Sequence, residues 1–569
     1  MKNQEVAELL FNIADMLDLL GVAFKPQAYR KAARAIENLS GNIEEYYKKN
    51  KLEEIPGVGK SIAEKIAEFL ETGRSSYYEE LKRKVPEGVA AMIEVPGMGP
   101  KKAMILYKKL GIKSISDLER AARHHKIRLL KGFGEKTEQD ILKGIELLRH
   151  GHERFLLGIA LPIAEEIVND LRKLREVEKI SIAGSTRRMK ETVGDLDILV
   201  VSKNPEPIMD HFTSMDSVAR VLAKGSTKSS VLLENNLQVD LRVIPEESFG
   251  AALQYFTGSK DHNIALREIC KKKGWKLSEY GLFDKNNKMI AGRTEEDVYK
   301  KLGMQFIPPE MRENTGEIEL ALKHKLPKLI DYNSIKGDLH VHSKWSDGSN
   351  TIRDLALFAK KLGYEYIGIA DHSKSQRIAH GLSEEEVIER NKEIDKLNKT
   401  LPIKILKVME VDILSDGSLD YDDSILKKLD LVIAAIHSRF KSTKEEMTKR
   451  ILKAMDNPYV RIIAHPTGRL LGQRQGYEID LDKIIKKAKE KNIALEVNAS
   501  PQRLDLNGPN VKRVVTAGVK LSINTDSHAK EQMLFMRLGI GTARRGWARK
   551  EDVINTMSYK ELMKWLKRK

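Results

Sequence analysis

Residues 194–200 read GDLDILV, an apolar run that contains two carboxylates, Asp195 and Asp197. Residues two apart on a β-strand project to the same face, so both aspartates point in one direction. Two anions on one face repel each other unless a cation lies between them, and Mg²⁺ binds through one or two carboxylates together with substrate phosphates. The stretch therefore predicts a strand with a metal site; the alternative is a solvent-exposed strand face that carries two acids.

The length and composition of the chain predict a multidomain cytoplasmic protein. Its 569 residues suffice for about three to five domains, and 41% of them are hydrophobic. We find no run of the roughly 18 to 20 apolar residues that span a membrane, and the start MKNQEVAELL lacks the pattern of a signal peptide. The single cysteine, Cys270, excludes an internal disulfide and fits a reducing compartment.

The charge balance favours a polyanionic partner, with nucleic acid as the first candidate. Lys and Arg number 99 against 82 Asp and Glu, a net charge of +17. A highly charged surface of the thermophile type is the alternative explanation, since 32% of the residues are charged. Residues 101–150 contain thirteen Lys and Arg but six Asp and Glu, which predicts a basic face in this part of the chain.

Three Gly-x-Gly turns interrupt the helical periodicity of residues 1–150. They are IPGVGKSIAEKI from Ile55, VPGMGPKKAMIL from Val95 and LKGFGEKTEQDIL from Leu130. Glycines let the backbone approach a ligand closely, and the amides at the start of the next helix suit a phosphate oxygen. The repeated pattern resembles helix-hairpin-helix motifs, which grip the backbone of nucleic acids without reading bases.

This resemblance implies that carbonyl groups in the turns can hold a monovalent cation, Na⁺ or K⁺, which bridges to a DNA phosphate. The carbonyls belong to the first two turns: Glu53, Ile55, Val58, Ile93, Val95 and Met98.

The segments KPQAYRKAARAIE (25–37) and GVGKSIAEKIAEFLETG (57–73) resemble the amino-terminal lyase domain of DNA polymerase beta. The resemblance implies that a helical lysine, here Lys65, attacks an abasic sugar as a Schiff base. A lysine close to other cations becomes more nucleophilic. The chain departs from the relative at Ser61, where a second, phosphate-binding lysine is expected, and a solvated lysine on a helix face is the alternative interpretation of Lys65.

Two further predicted strands flank GDLDILV. KISIAGSTRRMK (179–190) precedes it, and LQVDLRVI (237–244) follows after a predicted helix and loop, with Asp240 at its centre. Together with Asp195 and Asp197, Asp240 completes three strand carboxylates. Such a set can hold two Mg²⁺ ions across a reacting phosphate, one that activates a 3′-hydroxyl and one that steadies the leaving pyrophosphate.

The GSTRR segment completes the pattern. Gly184, Ser185 and Arg188 supply a close turn, a hydroxyl and a guanidinium, a set suited to triphosphate oxygens. The order GS-x-RR, GD-x-D and a lone strand aspartate is the pattern of a nucleotidyltransferase.

Residues 252–283, which include YFTGSKDHN, resemble the fingers-side subdomain of family X DNA polymerases. The resemblance implies that YFTG, which ends at Gly258, forms a wall of the sugar pocket in which Tyr255 and Phe256 exclude a 2′-hydroxyl. It also implies that Asn263 meets the minor-groove edge of the incoming base and Arg267 the template side.

Two positions depart from that family pattern. Lys260 replaces an aspartate near the base, and Gln238 replaces an arginine before the third catalytic aspartate. Both put base-pair fidelity in question, because Gln238 cannot form a charged bond to Asp240.

After KLPKLIDYNSIK (325–336) the chain alternates between strand and helix signals, the pattern of a parallel barrel. Seven predicted strands finish in residues that ligate metals, and barrel active sites lie at the carboxyl ends of the strands. With one aspartate from the loop KWSDG, the candidates are His340, His342, Asp347, His372, Glu410, His437, His465, Asp526 and His528.

Nine N and O donors exceed the need of one ion, so they predict two or three, with no thiolate to dictate zinc. The HVH near the start and DSH near the end resemble the PHP metallo-phosphoesterase domain. That resemblance implies Mn²⁺ or Zn²⁺, 3′ to 5′ exonuclease activity and abasic-site endonuclease activity.

We therefore expect a multidomain α/β protein with a helical helix-hairpin-helix region, a nucleotidyltransferase palm with a mixed sheet, a small α/β subdomain and a (β/α)7 PHP barrel. The predicted boundaries are 1–85 for the lyase and DNA-binding domain, 86–150 for further hairpins, 151–247 for the palm, 248–316 for the subdomain that binds dNTP and the base pair, 317–334 for a linker, and 335–569 for the barrel.

The predicted function is a family X DNA polymerase that fills short gaps in base-excision repair. Its expected partners are dNTPs and DNA, as gapped or nicked duplex, 3′ ends and abasic sites; we expect a monomer and no membrane partner. One alternative is a DNA-binding scaffold in which the PHP phosphoesterase alone is active. Another is a small-molecule phosphatase of the histidinol-phosphate type with an unrelated DNA-binding arm.

Overall fold

The computed structural model divides into two compact units, Met1–Arg154 and Phe155–Lys569. The residues it describes are 2–37, 43–48, 50–72, 75–84, 88–89, 92, 95, 98, 100–130, 132–151 and 154–567. None of the helices in these ranges is both long and apolar enough to cross a membrane.

The first unit is helical throughout its described part, as predicted. Its α-helices are Lys2–Leu19, Lys25–Glu37, Ile43–Lys48, Lys60–Thr72, Ser76–Lys84, Pro100–Leu110, Ile115–Arg123 and Glu135–Gly151. Apolar side chains at helical spacing face inward and form one core, which includes Leu10, Ile36 and Ile66. On the outside, Arg30 pairs with Asp15 and Asp18 and joins the first two helices.

The second unit begins with a mixed five-stranded sheet. The first seven strands of this unit are β1 (Phe155–Leu156), β2 (Lys179–Ile182), β3 (Thr192–Val193), β4 (Asp195–Val201), β5 (Val218–Ala223), β6 (Lys228–Leu233) and β7 (Gln238–Val243), and five of them form the sheet. The helices of this part are Leu157–Leu171, Gly184–Arg187 and Glu206–Thr213. The sheet order is β2-β4-β7-β6-β5, with β4 and β7 parallel and the other pairs antiparallel.

Two details of this sheet differ from the sequence prediction. The strand predicted over residues 179–190 ends at Ile182, because Gly184 adopts a positive φ of 63° and a short helix begins there. The region between β4 and β7 holds the predicted helix, but also the hairpin β5–β6, where we expected a loop.

A small α/β subdomain follows. Its helices are Phe249–Thr257, Lys260–Lys272, Glu295–Leu302 and Glu317–Leu322, and its strands are β8 (Lys276–Ser278), β9 (Gly281–Phe283) and β10 (Met289–Ala291). The predicted linker 317–334 starts with the last of these helices, whose Glu317 is buried and lies 2.7 Å from His262 Nδ1. That end of the predicted linker therefore packs into the subdomain.

The rest of the chain forms a seven-stranded parallel barrel, which confirms the predicted fold class. Its strands are β11 (Gly337–Val341), β12 (Tyr366–Ile369), β13 (Lys404–Asp412), β14 (Leu431–Ala435), β15 (Val460–Ile463), β16 (Ala494–Asn498) and β17 (Leu521–Asn524), in that order. The helices are Ile352–Lys361, Glu384–Leu397, Asp423–Leu426, Lys444–Ala454, Leu481–Lys491, Gly508–Thr516, Met536–Arg545 and Tyr559–Leu566.

The first and last barrel strands come together at their carboxyl ends. A parallel bridge joins Val341 to Ser527, and the amide of His342 donates to the Ser527 carbonyl at 2.8 Å. Strands such as β11 and β14 are buried along their whole length, as expected where helices cover the outside of a parallel sheet. This closure places the ends of all seven strands around one small area.

Candidate active sites and DNA-binding turns

The parallel pairing of β4 and β7 brings the three predicted catalytic aspartates together. Asp197 and Asp240 are register partners, and Asp195 lies two residues before Asp197 on the same face of β4. Burial, followed by the charges of Asp195 and Asp240, raises the pKa of Asp197 to about 7. Three carboxylates that repel one another in this way fit a site for divalent cations.

Gly184 lies against this cluster with no room for a side chain. A Cβ built on its backbone would lie 2.7 Å from Asp197 Oδ2. The turn is tied to β4, because the amide of Ala183 donates to the Asp197 carbonyl at 2.8 Å. The predicted pair Gly184 and Ser185 thus lies beside the carboxylates, with Ser185 partly exposed.

Asp240 has a charged partner that the sequence did not indicate. Gln238 Nε2 donates to Asp240 Oδ1 at 2.9 Å, and Lys228 Nζ lies 2.5 Å from Asp240 Oδ2. Burial alone would raise the pKa of Asp240, but Lys228 and Gln238 lower it. The positive charge that we expected to be missing at Gln238 is therefore supplied by Lys228, on the β6 strand that was not predicted.

Arg188 brings the GSTRR and YFTG segments together. Its Nη1 donates to the Thr257 carbonyl, and its Nε donates to Glu313 Oε1 at 3.1 Å. Gly258 leaves space for this side chain, since a Cβ there would lie 3.2 Å from Arg188 Nη1. Tyr255, three residues before Gly258, is partly buried.

The remaining predicted nucleotide contacts lie along the same subdomain. The rings of Tyr255 and Phe256 meet edge to face with centroids 5.2 Å apart. Asn263 is buried: it accepts a hydrogen bond from Gln254 at 2.7 Å and donates one to the Tyr255 carbonyl at 2.7 Å. Arg267 is exposed on helix Lys260–Lys272, so its side chain is accessible to a ligand.

All nine predicted metal ligands gather at the carboxyl ends of the barrel strands. Three overlapping groups have ligand atoms within 4.8 Å of one another: His342, Asp347, His372 and His528; His340, His342 and Asp526; and His372, Glu410 and His437. The ninth residue, His465, joins them through Nε2, which lies 2.9 Å from Glu410 Oε1.

The donor atoms of this cluster fit divalent metal ions. Several buried atoms make no hydrogen bond within the described residues, and they are His340 Nε2, His342 Nδ1, His372 Nδ1, Glu410 Oε2 and His465 Nδ1. His372 Nδ1 and Glu410 Oε2 are only 2.9 Å apart, yet their geometry does not make a hydrogen bond. Unpaired buried polar atoms are costly, and a shared cation satisfies imidazole and carboxylate donors together.

Residues behind the ligands hold the imidazole rings in place. His340 Nδ1 lies 2.8 Å from Glu496 Oε1, and His437 Nδ1 lies 2.5 Å from Asp412 Oδ1. Burial would lower the pKa of His437, but Glu410 and Asp412 raise it to about 10. A carboxylate on one ring nitrogen directs the other nitrogen towards the metal position.

Sequence reasoning missed Asp412 as an orienting residue. Glu496, in the middle of strand β16, was not predicted to orient a ligand either. Asp412 lies two residues after Glu410 on β13, so the period of a strand already places both on one face. That spacing was the available signal.

The three Gly-x-Gly turns share one hydrogen-bonding pattern. In each, the apolar residue before the glycines accepts a bond from the amide three residues later at 2.9 Å: Val58 to Ile55, Met98 to Val95 and Phe133 to Leu130. Helices then begin at Lys60, Pro100 and Glu135. A hydrogen bond shared at this position is expected of repeated backbone-binding motifs.

The predicted carbonyl ligands of these turns can be located in part. Glu53 is exposed within the 3₁₀ turn Leu52–Glu54. The side chains of Ile55, Val58, Val95 and Met98 are buried. Ile93 lies outside the described residues.

The proposed lyase nucleophile, Lys65, lies on helix Lys60–Thr72. Its Nζ donates to the carbonyl of Ser61 at 3.0 Å and to Ser61 Oγ at 3.1 Å, and it lies 4.7 Å from the centroid of the Tyr77 ring. Ser61, which replaces the expected phosphate-binding lysine, therefore bonds to Lys65 itself.

Comparison with known proteins agrees with this architecture. Family profiles match residues 1–75 as a helix-hairpin-helix domain, 89–146 as a SAM-like helix-hairpin-helix tandem, 252–313 as a DNA polymerase beta thumb and 338–500 as a PHP domain.

Individual relatives cover the whole chain or its parts. The chain is 26% identical over 344 residues to DNA polymerase lambda of Rattus norvegicus, an alignment of 55% of this chain and 56% of the relative. It is 32% identical over 204 residues to a probable phosphatase of Clostridium novyi, which covers 34% of this chain and 78% of that protein. It is 41% identical over 573 residues to the DNA polymerase/3′-5′ exonuclease PolX of Bacillus subtilis, across 100% of both chains. The chain therefore belongs to the family X DNA polymerases that carry a PHP domain.

Proposed function

We propose that the chain is a DNA-directed DNA polymerase that fills short gaps in base-excision repair, and that its PHP barrel is a metal-dependent 3′ to 5′ exonuclease. The observation that carries the polymerase proposal is the register pairing of Asp197 with Asp240, beside Gly184 and Arg188. Full-length similarity to PolX of Bacillus subtilis supports both activities.

In the polymerase site, Asp195, Asp197 and Asp240 would hold two Mg²⁺ ions. When bound, these ions supply Lewis-acid activation of a 3′-hydroxyl and neutralise charge on the triphosphate. Gly184 and Ser185 offer a turn beside the carboxylates. The other residues proposed to contact the nucleotide are Arg188, Tyr255, Phe256, Gly258, Asn263 and Arg267.

In the barrel, the nine clustered residues would hold two or three ions, Mn²⁺ or Zn²⁺. When bound, the ions supply an acidified water molecule and positive charge opposite the scissile phosphate. Asp412 and Glu496 keep the rings of His437 and His340 oriented. We extend the proposal to cleavage at abasic sites, since both reactions hydrolyse phosphodiesters of DNA.

In the amino-terminal unit, the repeated turns would grip the DNA backbone, with Na⁺ or K⁺ at the turn carbonyls as an additional bridge. Lys65 would act as the lyase nucleophile on a 5′-deoxyribose phosphate. The domain boundaries given above, a monomeric state and a cytoplasmic location complete the proposal.

One substrate tests the proposal against its rivals. A duplex with a one-nucleotide gap and a 5′-phosphate is incubated with Mg²⁺ or Mn²⁺, with and without dNTP. The proposed enzyme extends the primer by one nucleotide with dNTP and shortens it without. A scaffold with an active PHP domain only shortens it. Asp240→Ala is the matched variant: it should lose extension and keep shortening, because it removes a ligand from the palm alone.

A small-molecule phosphatase remains the second candidate for the barrel alone. The observation that favours it is the similarity of 34% of the chain to the probable phosphatase of Clostridium novyi. Release of inorganic phosphate from a small phosphomonoester, with no degradation of DNA 3′ ends in Mn²⁺, would establish that function instead.

A further inference from the structure

The loop of the palm that carries Gly184, Ser185 and Arg188 is held by the PHP barrel. Arg545 ends the barrel helix Met536–Arg545, and its Nη1 donates to the Arg188 carbonyl at 2.9 Å. The same Nη1 donates to Glu313 Oε1 at 3.0 Å. Because Glu313 Oε1 also accepts Arg188 Nε at 3.1 Å, one carboxylate oxygen links the two arginines.

This contact is buried and specific in its geometry. The side chains of Arg545 and Arg188 are 8% and 13% exposed, so water competes little for their bonds. Arg545 fixes both parts of Arg188: the backbone through its carbonyl, and the guanidinium through Glu313. A surface salt bridge between two domains would have neither property.

The same barrel helix packs against the loop one turn earlier. Gly541 lies four residues before Arg545 and therefore on the same helix face. A Cβ on Gly541 would lie 2.5 Å from Cε of Met189, the residue that follows Arg188 and is itself buried. The glycine thus permits a close approach of helix and loop.

A second barrel arginine holds the far end of the loop. Arg469 pairs with both oxygens of Glu191 at 3.2 and 2.9 Å. Its Nε donates to the Arg503 carbonyl of the barrel at 2.9 Å. Residues 188–191 are therefore anchored at three points by the barrel, which contains none of the predicted nucleotide contacts.

We propose that Arg545 is a positioning residue for the polymerase reaction, supplied by the PHP domain: with Glu313, it holds Arg188 in the orientation that binds the triphosphate of the incoming dNTP. The inference rests on the polymerase function proposed above. Without Arg545, Glu313 still pairs with Arg188, but the loop backbone loses the anchor at Arg188 itself and keeps only those at Met189 and Glu191. The binding of dNTP therefore weakens more than the rate of the chemical step falls.

The barrel helix offers a matched control. Arg537 also forms a salt bridge to the palm, to Glu165 on helix Leu157–Leu171, outside the nucleotide loop. The two side chains are 51% and 38% exposed, and loss of this bond removes a contact between barrel and palm without touching the nucleotide loop. Arg537→Ala should therefore leave dNTP binding unchanged if the role of Arg545 is specific.

The experiment is single-turnover gap filling by the full-length protein in Mg²⁺ over a range of dNTP concentrations. For Arg545→Ala we expect the dNTP concentration at half-maximal rate to rise about tenfold, the size expected for loss of a charged hydrogen bond, with a smaller change in the maximal rate. Arg545→Lys keeps the charge and should restore part of the loss. Exonuclease activity in Mn²⁺ should be unaffected in Arg545→Ala, Arg545→Lys and Arg537→Ala.

Other results overturn the inference. If the half-maximal dNTP concentration does not change in Arg545→Ala, or if it rises equally in Arg537→Ala, the contact serves only to dock the barrel on the palm. If Arg545→Ala does not fold, Glu313→Gln tests the same link from the other side and must give the same rise in the half-maximal dNTP concentration. Failure of the wild-type protein to extend a primer would contradict the proposed polymerase function itself, and this result is distinct from a failure of the Arg545 variants.

Discussion

At the scale of single residues, the proposed polymerase site leaves no room for a side chain at Gly184. Its φ is positive, at 63°, and a Cβ on this residue would lie 2.7 Å from Asp197 Oδ2. A methyl group there would collide with a carboxylate of the proposed metal site. The requirement for glycine is thus chemical as well as conformational.

We predict that Gly184→Ala reduces gap filling by at least about tenfold, because Asp197 must move away from its ligand position. Gly274→Ala is the control. Gly274 has a similar φ of 71°, but nothing lies within 4 Å of its built Cβ, so this variant has the same backbone strain without the clash. Gap-filling rates and melting temperatures of both variants are measured; equal losses of activity would attribute the effect to backbone strain.

At the scale of secondary-structure elements, a helix or strand decides which side chains share a site. Helix Lys60–Thr72 places Lys65 one turn after Ser61, and the two side chains hydrogen bond. Strand β11 ends at Val341, between His340 and His342, and the rings of both histidines are buried in the candidate metal cluster. Each arrangement leads to a test.

We predict that borohydride traps a covalent adduct between Lys65 and an incised abasic site, because reduction makes a Schiff base irreversible. Lys65→Ala should lose the adduct. Lys60→Ala, an exposed lysine on the same helix, should keep it. Gel analysis of labelled DNA measures the adduct, and equal trapping by the two variants would assign the nucleophile to another residue.

We predict that His342→Ala loses exonuclease activity by roughly 10³-fold or more, since the site loses a ligand that belongs to two of its three groups. Primer extension in Mg²⁺ should be unchanged, and the metal content of the purified protein should fall. His380→Ala is a suitable control, because His380 lies outside the cluster on the loop after β12. A wild-type rate of 3′-end degradation by His342→Ala would exclude the barrel cluster as the nuclease.

At the scale of the whole molecule, we expect a metal bound at the barrel cluster to stabilise the fold. The buried carboxylate of Glu410, the partly buried carboxylate of Asp526 and several imidazole nitrogens that make no hydrogen bond within the described residues lie where the carboxyl ends of the seven barrel strands meet. A cation that satisfies these groups binds the folded barrel in preference to the unfolded chain. Binding and folding are therefore linked.

We predict that removal of metal by a chelator lowers the apparent melting temperature and that Mn²⁺ restores it. At a metal concentration about 100 times the Kd, the gain in the free energy of unfolding is about 2.7 kcal/mol for one site. Differential scanning calorimetry measures the shift. His342→Ala should show a smaller shift, and a metal effect of the same size in that variant would place the stabilising ion elsewhere.

Local patterns in the sequence determined the fold class and most of the candidate sites. The spacing of Asp195 and Asp197, the glycine turns and the ligand at each barrel strand end all follow from the period of one element or one turn. Rules of this kind act over a few residues, so a single sequence contains them. These patterns, together with the resemblance to helix-hairpin-helix motifs, family X polymerases and PHP domains, predicted the helical region, the mixed sheet and the seven-stranded barrel.

Tertiary structure alone decided which residues from distant parts of the chain meet. Lys228 reaches Asp240 only because β6 pairs with β7, and the hairpin β5–β6 was not predicted. Arg545 reaches Arg188 across 357 positions of the chain. No periodicity links such pairs: their contact follows from the packing of a barrel helix on the palm, and one sequence carries no local signal of that packing.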